Sequence, residues 1–413
     1  MSKQQIIPTG TIINGYEVVS LLGVGGYAGI YKVKKISDTQ NHFFAMKVEN
    51  LGSEINTIST EVEILKNLKE NCFPKLHDNG TNKKLSINFY VMDLYGTSID
   101  VIHMLHRKQL DPVTIYNISF KMLEIIETFH SHGFVHRDIK PGNFLIQNNP
   151  STPLVLTDFG ISQKHINPST NKPHRFRIDN LFTGTRRYAS IAACEGYSYG
   201  RRDDLISWFY SFIDLACGYL PWDEAVDFND MLFMKNFLNI NCLGRRFPKE
   251  ITTLYKYIKR LKYGQNPDYD HIKQLFVKSM QQEGAHPNKF NWNQFYLKHS
   301  NLEVLTRELS LKQKQRESQK EKEKMPIPNK KVEKAASSPS KLGGGGGQLK
   351  KSNTILNLFK NIGSKSTSAK ESKNKKKNAN DDSKKSNEKT CNDKEKVKPK
   401  KKPPIIPNKI GKK

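Results

Sequence analysis

The sequence predicts an α+β fold with two lobes, a small β-rich lobe over residues 15–95 and a larger α-rich lobe over residues 96–300. In the first range, short runs of β-branched and aromatic residues are separated by Gly, Asn and Asp, which is typical of strands. In the second, apolar residues recur at spacings of three and four, which is typical of helices. Beyond residue 300 the apolar content falls and lysine dominates. Residues 1–14 form an N-terminal extension.

Four strands and one helix are expected in the β-rich lobe. The strands are the runs YEVVSLLG, GIYKVKK, HFFAMKVEN and INFYVMDL. Between the last two, Val62, Leu65 and Leu68 recur with helical spacing and predict a helix from about residue 58 to about residue 69.

The α-rich lobe is expected to consist mainly of long helices. They are predicted at VTIYNISFKMLEIIETFHSHG, LISWFYSFIDLACGYL and HIKQLFVKSM. Short strands are expected only near FLIQ and LVLTD.

The positive charge is concentrated in the last quarter of the chain. The formal net charge is +27, yet residues 301–413 alone hold 32 Lys and Arg against 12 Asp and Glu. This split excludes an evenly basic globule and argues against a DNA-binding fold as the source of the charge. Residues 301–324 have charge enough for an exposed helix. Residues 325–413 have too few apolar residues to fold, so we expect a disordered Lys-rich tail.

Three segments of this tail carry predictions of their own. The runs KNKKK (373–377) and KPKKKPP (398–404) resemble nuclear-import signals, and they could also bind anionic lipid or nucleic acid weakly, although lysine runs are usually only solvated. In residues 353–363, apolar side chains share one helical face and could dock on a partner, a membrane surface or the folded domain.

Cysteine usage and hydropathy indicate the compartment. The five cysteines form no CxxC pair, which fits neither a disulfide framework nor a zinc site and favours a reducing compartment. No run approaches 18 apolar residues and the first residues lack the apolar core of a signal peptide, so neither a transmembrane segment nor secretion is expected. We expect a soluble monomer in the cytoplasm that can also enter the nucleus.

A glycine-rich turn lies between the first two predicted strands, in LLGVGGYAGIYKV. Glycines let backbone N–H groups approach phosphate oxygens, because no Cβ stands in the way. A glycine hairpin is more often a plain turn, and Ala28 stands where the third glycine of G-x-G-x-x-G would be. On its own the turn is therefore a weak signal for a nucleotide.

Lys47 lies in the middle of the third predicted strand. A lysine there is usually a solvated residue of the alternating pattern, but a carboxylate on the next helix could pair with it and fix it against phosphates. Glu61 and Glu63 are the two candidates. Glu61 is preferred because it lies at the edge of the apolar stripe of that helix.

The segment HGFVHRDIKPGNFLI carries the strongest signal, since it matches H-R-D-x-K-x-x-N, the catalytic loop of protein kinases. In that chemistry Asp138 accepts the proton of the substrate hydroxyl, Lys140 neutralises the transferred phosphoryl group and Asn143 holds a magnesium ion. Asp158 follows Asn143 by fifteen residues in a D-F-G triplet and would bridge magnesium to the β- and γ-phosphates. Both motifs in this order, after a glycine turn and a strand lysine, predict a phosphoryl-transfer site.

Together these residues resemble the eukaryotic protein kinase family. GTRRYASIAA, RRDDLISWFYSFIDLACGYLPW, NPDYDHIKQLF and FNWN narrow the resemblance to the casein kinase I superfamily, with the tau-tubulin kinase branch nearest. The similarity covers about residues 15–300. It implies the bilobal protein kinase fold, ATP with Mg²⁺ in the cleft, and transfer to Ser or Thr of protein substrates. Lys140 and Thr185 mark Ser/Thr acceptors in this family, and Asp204 would anchor the catalytic loop.

The resemblance also assigns residues around the nucleotide. The adenine ring would lie between Ala45 and Leu145, with Met92 as the gatekeeper. The hinge would run from Asp93 to Tyr95, and the backbone near Tyr95 would read the adenine edge. The turn over the nucleotide would consist of Leu22, Gly23, Val24, Gly25, Gly26, Tyr27, Ala28, Gly29 and Ile30.

The sequence departs from the family where substrates would bind. Family members often favour acidic or already phosphorylated substrates and use a basic surface that includes the arginine matching Arg187. Here the segment after LPW is acidic instead, with four carboxylates between residues 223 and 230. We therefore expect weakened selection for phosphate-primed substrates, while Arg186 and Arg187 stay available for one anion, although two exposed arginines are as often only part of a solvated loop.

Two other functions stay open. A catalytically silent kinase fold could act as a scaffold through its basic tail, although Lys47, Asp138, Asn143 and Asp158 are all present. A kinase of small molecules is the second alternative, but the extended α-rich lobe and the RRYAS segment favour protein substrates. The sequence thus favours an active Ser/Thr protein kinase.

Overall fold

The computed structural model describes residues 6–300, apart from residues 26–27, 41, 52–55, 179–181, 238–245 and 288. The predictions for the 301–324 helix, for the tail and for Gly26 and Tyr27 therefore lie outside the described residues. The strands, in chain order, are β1 (Ile12–Ile13), β2 (Tyr16–Val24), β3 (Gly29–Lys35), β4 (Phe43–Asn50), β5 (Leu76–Asn82), β6 (Ile87–Asp93), β7 (Phe134–Val135), β8 (Phe144–Ile146), β9 (Leu154–Leu156), β10 (Gln163–Lys164), β11 (Ile166–Asn167) and β12 (Lys172–Pro173).

The helices are α1 (Thr57–Asn67), α2 (Ile99–Leu105), α3 (Pro112–Ser131), α4 (Ile191–Cys194), α5 (Arg201–Cys217), α6 (Phe228–Asn236), α7 (Lys249–Arg260), α8 (Tyr269–Gln282) and α9 (Trp292–Ser300). Short 3₁₀ helices are formed by Pro141–Asn143 and Pro221–Glu224. Within the described residues, none of the helices is long and apolar enough to cross a membrane.

The first lobe is an antiparallel sheet of six strands in the order β1-β2-β3-β4-β6-β5. The four predicted strands appear as β2, β3, β4 and β6, and α1 lies where the helix was expected. One face of the sheet buries an apolar cluster that includes Val33, Met46 and Val91. Ala45 and Met92, which alternate with these residues, belong to the main core of the molecule instead. This alternation is what a sheet covered on both faces requires.

The second lobe is built around α3 and α5, which are buried along most of their length. The indole N–H of Trp208 on α5 donates to the carbonyl of Ser119 on α3 at 2.8 Å, which joins the two helices. Phe276 of α8 packs against Trp208 with ring centroids 5.2 Å apart. A β-rich lobe followed by an α-rich lobe is therefore confirmed.

A short segment after β6 connects the lobes and lies against β8. The N–H of Gly96 donates to the carbonyl of Ile146 at 2.9 Å, and the N–H of Ile146 donates to the carbonyl of Thr97 at 3.0 Å. Ser98 forms a further bridge with Leu145. These bonds fix the connecting segment to the strand that follows the predicted catalytic loop.

Candidate active site

A buried ion pair joins the sheet to α1. Nζ of Lys47 on β4 lies 2.5 Å from Oε1 of Glu61, and both side chains are buried. The Tyr90 hydroxyl donates to the other oxygen of Glu61 at 2.7 Å. Burial raises the pKa of Glu61 against the opposing effect of Lys47. Burial also opposes the charge of Lys47, but Glu61 and Asp158 hold the pKa of Lys47 well above its ordinary value.

Glu63, the competing candidate, lies away from this pair. Its side chain is 63% exposed and its Oε1 is 2.8 Å from Nζ of Lys164. The structure therefore brings Lys47 together with Glu61 and places Glu63 in a separate surface pair.

Glu49, two residues after Lys47 on β4, ties the start of α1 to the sheet. Its Oε2 accepts hydrogen bonds from the N–H groups of Thr57 and Ile58, both at 3.0 Å, and from the Thr57 hydroxyl at 2.9 Å. A carboxylate at a helix N-terminus satisfies N–H groups that have no partner within the helix. The sequence pattern did not lead us to Glu49. Glu49 is two residues after Lys47, and residues i and i+2 of a strand lie on the same face, so this spacing is the signal that could have identified it.

Asp158 is the second partner of Lys47, with its Oδ1 2.8 Å from Nζ. Burial raises the pKa of Asp158, but the charge of Lys47 outweighs this effect and holds that pKa below its ordinary value. The backbone of Asp158 has a φ of 71°, a conformation that non-glycine residues adopt mainly at strained or functional positions. At Gly160 a Cβ would lie 2.7 Å from Cβ of Thr57 and 3.1 Å from Oε1 of Glu61. Glycine is thus what lets α1 approach this segment.

Asp138 lies at the centre of hydrogen bonds that engage both of its carboxylate oxygens. Oδ1 accepts from the N–H of Thr185 at 2.8 Å, and Oδ2 lies 2.5 Å from Nζ of Lys140. Lys140 also donates to the Thr185 hydroxyl at 2.8 Å. The amide of Asn143 donates to the backbone carbonyl of Asp138 at 2.8 Å and to Oδ2 at 3.3 Å. The predicted catalytic-loop residues therefore meet at one point, together with Thr185.

Asp204 on α5 holds the backbone of this loop. Its Oδ2 accepts from the N–H of His136 at 2.7 Å and its Oδ1 from the N–H of Arg137 at 3.0 Å. The ring of His130 lies 2.8 Å from Oδ2. Burial would raise the pKa of Asp204, but the hydrogen bond and charge of His130 hold it below its ordinary value. The anchored loop turns through Arg137, whose φ is 73°.

Gly184 is placed so that no side chain fits, which yields a prediction. Its φ is 104°, and a Cβ there would lie 2.7 Å from the carbonyl oxygen of Arg137. Gly184→Ala is therefore expected to destabilise the protein by about 1–3 kcal/mol and to lower phosphate transfer, because it moves Thr185 away from Asp138. Thermal unfolding and transfer assays check this.

Gly264→Ala is the matched control for that substitution. A Cβ at Gly264 would meet only Pro173 at an ordinary 3.5 Å, and its φ is not positive. The control should unfold at or slightly above the wild-type temperature. Equal behaviour of the two alanine variants would contradict the strain assigned to Gly184.

The residues assigned to the adenine ring lie at the junction of the lobes. Ala45 and Met92 are paired across β4 and β6, and both are buried. Leu145 is partly buried on β8. Asp93 ends β6, and Tyr95 lies in the connecting segment, which is bonded to β8. The apolar character of the first three suits the flat faces of an adenine ring.

The glycine turn continues the hairpin of β2 and β3. In this hairpin Gly23 pairs with Ile30, and Val24 with Gly29. The N–H of Gly25 donates to the carbonyl of Ala28 at 2.8 Å and closes the turn, while Leu22 is exposed. Ala28, which stands where the third glycine of the motif would be, is buried.

Asn143 and Asp158 are the two predicted metal ligands. Because Nδ2 of Asn143 donates to Asp138, its Oδ1 is the atom that Asn143 can offer to a cation. Asp158 uses Oδ1 for Lys47 and can offer Oδ2. Among the residues that the structure describes, no group of three His, Cys, Asp or Glu side chains could hold a metal by itself. The two oxygens fit a Mg²⁺ ion that completes its shell with waters and nucleotide phosphates.

Arg187 differs from the expectation. Its guanidinium donates to both oxygens of Asp214 at 2.7 and 2.8 Å, to both oxygens of Asp223 at 2.6 Å each, and to the Tyr188 hydroxyl. Although burial opposes its charge, these carboxylates raise the pKa of Arg187. The expectation that Arg187 stays available for an anion is therefore wrong, because two carboxylates of the same chain already occupy it. Arg186 lies over two phenylalanine rings at 5.0 and 5.4 Å.

Known proteins are similar to this chain over much of its length. Residues 16–327 match the family model described as the protein kinase domain. A probable serine/threonine-protein kinase of Dictyostelium discoideum is 32% identical over 273 residues, which cover 64% of this chain and 54% of that protein. A probable casein kinase I homolog of Encephalitozoon cuniculi is 27% identical over 291 residues, which cover 68% of this chain and 94% of that protein. The chain thus matches about half the length of the first relative, and neither name points to the tau-tubulin branch.

Proposed function

Since the chain belongs to the protein kinase family and is of the casein kinase I type, we propose that it transfers the γ-phosphate of ATP to Ser or Thr hydroxyls of proteins, with Asp138 as the base. The observation that carries this proposal is that two sets of contacts are formed at the same time. Lys47 is bonded to both Glu61 and Asp158, and Asp138 is bonded to Lys140. Of these contacts, the Lys47–Glu61 ion pair is one that phosphoryl transfer needs in this family, and the others place Asp158 and Asp138 beside it and beside Lys140.

Each side chain has a distinct task in the proposed reaction. Lys47 binds phosphate oxygens from the side of the sheet, and Glu61 keeps its ammonium group in place. Asp138 accepts the proton of the substrate hydroxyl. At the same time the hydroxyl oxygen forms a bond to the γ-phosphorus, and the bond between the γ-phosphorus and ADP breaks. Lys140, beside it, neutralises the transferred group. A bound Mg²⁺ supplies charge neutralisation on the β- and γ-phosphates.

The contacts favour an active enzyme over a silent scaffold. Lys47 and Glu61 are both buried, and removing two ionised groups from water costs several kcal/mol per ion before their attraction offsets it. A fold retained only to carry its tail would gain nothing from such a pair. Apolar residues of similar volume would stabilise that position equally well or better.

The test is phosphate transfer by the full chain. Dephosphorylated casein is incubated with the protein and radiolabelled ATP, with Mg²⁺ or with excess chelator, and the modified residues are identified by mass spectrometry. We expect Mg²⁺-dependent phosphoserine and phosphothreonine. No incorporation beyond that of Asp138→Asn would refute the proposal in favour of the scaffold, and transfer only to small molecules would favour the remaining alternative.

We further propose that the enzyme does not need a phosphate group already present on its substrate. The proposal is supported by Arg187, whose N–H groups are taken by Asp214, Asp223 and Tyr188. A substrate phosphate would have to displace a bidentate carboxylate at this position, so the phosphate should add little to the affinity of the substrate.

Paired peptides that differ only by a phosphate test this prediction. A serine acceptor is preceded three residues upstream by serine or by phosphoserine. We expect the two kcat/KM values to agree within about threefold, which corresponds to less than about 0.7 kcal/mol. In Asp223→Asn, Arg187 is less fully neutralised, so kcat/KM for the phosphorylated peptide should rise. A strong preference of the wild type for that peptide would contradict the prediction.

A further inference from the structure

Lys235, near the end of α6, is a buried lysine outside the machinery described above. Its side chain is 0% exposed, and Lys47 is the only other lysine that is buried among the described residues. Burial lowers the pKa of Lys235 to about 8, against a smaller opposing effect of the Cys194 thiol. The two buried lysines therefore differ, because Lys47 is held by carboxylates and Lys235 is not.

The ammonium group of Lys235 is held by backbone carbonyls and aromatic rings. Nζ donates to the carbonyl of Arg186 at 2.6 Å and to that of Ala189 at 2.7 Å. It lies 5.1 Å from the ring centroid of Trp222 and 5.5 Å from that of Tyr210. Carbonyl dipoles and aromatic faces both favour a cation.

These carbonyls belong to residues 185–189, here called the acceptor turn. The turn is closed internally, since the carbonyl of Thr185 accepts from the N–H groups of Tyr188 and Ala189 at 3.0 and 3.1 Å. On one side Thr185 contacts Asp138 and Lys140. On the other side, Lys235 holds two of its carbonyls.

Trp222 adds a third bond from the same side. Its indole N–H donates to the carbonyl of Arg187 at 2.7 Å. Three of the four carbonyls from residue 186 to residue 189 are therefore held by the segment that runs from the second 3₁₀ helix to α6. The acceptor turn is thus bonded to Trp222 and Lys235 on one side and to Asp138 on the other.

A lysine is a costly choice for this position unless its charge is used. An ammonium group without a carboxylate partner is destabilised by burial, whereas a methionine would fill similar space with no such penalty. What the ammonium group supplies is two directed, charge-assisted hydrogen bonds to one turn. Its effect is therefore to orient that turn.

We propose that Lys235 is a positioning residue for the phosphoacceptor, which keeps Thr185 hydrogen-bonded to Asp138 and Lys140 while a hydroxyl-bearing peptide binds beside the acceptor turn. This inference rests on the proposed function. Lys235 should affect binding of the protein substrate and not of the nucleotide, because its contacts are to the acceptor turn and to aromatic rings of the α-rich lobe.

The test is the steady-state kinetics of Lys235→Met in the full chain, with a serine peptide from casein and with ATP varied in turn. We expect the peptide KM to rise about tenfold and kcat to fall several-fold, since small displacements of a positioning group are costly. The KM for ATP should stay within about twofold of the wild type. A loss of folded protein alone would lower kcat and leave both KM values unchanged.

Lys259→Met is the matched control. Lys259 is an exposed lysine that lies 5.9 Å from the ring centroid of Tyr255 on α7, away from the acceptor turn. It should leave both KM values unchanged. If Lys235→Met does not fold, Trp222→Phe decides, because it removes the N–H donor to the Arg187 carbonyl and keeps an aromatic ring near Lys235. A raised peptide KM supports the proposal and an unchanged one overturns it.

The remaining outcomes separate the two proposals. An active wild type together with a folded Lys235→Met of unchanged peptide KM would overturn the role of Lys235 and leave the proposed function intact. A wild type that transfers no phosphate to any peptide would overturn both.

Discussion

Asp138→Asn is expected to lower kcat for casein phosphorylation by about 10³-fold, within the range that loss of a general base produces. The asparagine oxygen can still accept from the N–H of Thr185, as Oδ1 of Asp138 does at 2.8 Å. Its amide nitrogen cannot take a proton, and it faces Lys140 without the ion pair. The loss should therefore fall on the chemical step. The KM for ATP should stay within about threefold of wild type, because Lys47 and Asp158 are unchanged.

Asp268→Asn serves as the control for this substitution. Asp268 is the N-cap of α8 and accepts from the N–H of His271 at 2.9 Å. Asparagine caps helices about as well as aspartate, so the same chemical change should leave activity and stability unaltered. A kcat for Asp138→Asn within tenfold of wild type would contradict the role of Asp138 as base.

Lys47→Met is expected to affect both activity and stability. It removes a cation from the phosphate-binding side and should lower kcat by about 10²- to 10³-fold, as loss of one electrostatic group commonly does. It also leaves Glu61 buried without its cation, which should reduce the free energy of unfolding by about 3–5 kcal/mol. Denaturant titration and transfer assays measure the two effects.

The pH dependence of this stability loss identifies its cause. In Lys47→Met the pKa of Glu61, already raised by burial, should rise further because the opposing effect of Lys47 is gone. A carboxyl whose pKa is raised in the folded state destabilises the fold when it is ionised and not when it is protonated. The loss in the free energy of unfolding should therefore be largest above neutral pH and shrink on acidification. Unfolding measured at both ends of that range checks the sign.

Lys164→Met provides the matched comparison at the surface. Lys164 pairs with Glu63, and their side chains are 51% and 63% exposed. Exposed pairs contribute about 0–1 kcal/mol, so this variant should be close to wild type in stability and transfer. Equal deficits in the two lysine variants would contradict the distinction between Glu61 and Glu63.

The sequence predicts most elements of the first lobe but neither the two-residue β1 nor β5. Strands β2, β3, β4 and β6 follow runs of β-branched and aromatic residues, whereas β5 has the sequence LHDNGTN. Asn, Asp and Gly are disfavoured in strands, and β5 exists because it pairs with β6 at the edge of the sheet. Such pairing depends on neighbours and leaves no pattern in the strand itself.

The candidate site shows the same limit. The catalytic-loop residues are recognisable because their spacing is short and local. The bonds of Glu49 to α1 and of Arg187 to Asp223 join residues that a local pattern does not relate, and Arg187 and Asp223 are 36 positions apart in the sequence. The sequence revealed an acidic stretch after Trp222, but only the fold shows that one of its carboxylates neutralises Arg187.

The attachment of α1 to β4 restricts how the proposed kinase activity can be switched off. Outward rotation of α1 would separate Glu61 from Lys47, but it would also break three hydrogen bonds to the buried Glu49 carboxylate, each contributing about 1.5–3 kcal/mol. An inhibitor or regulatory partner that binds only when α1 is displaced would bind more weakly, because part of its binding free energy would be used to break these hydrogen bonds. Blocking access of the substrate hydroxyl to the acceptor turn would require less free energy, because α1 could stay in place.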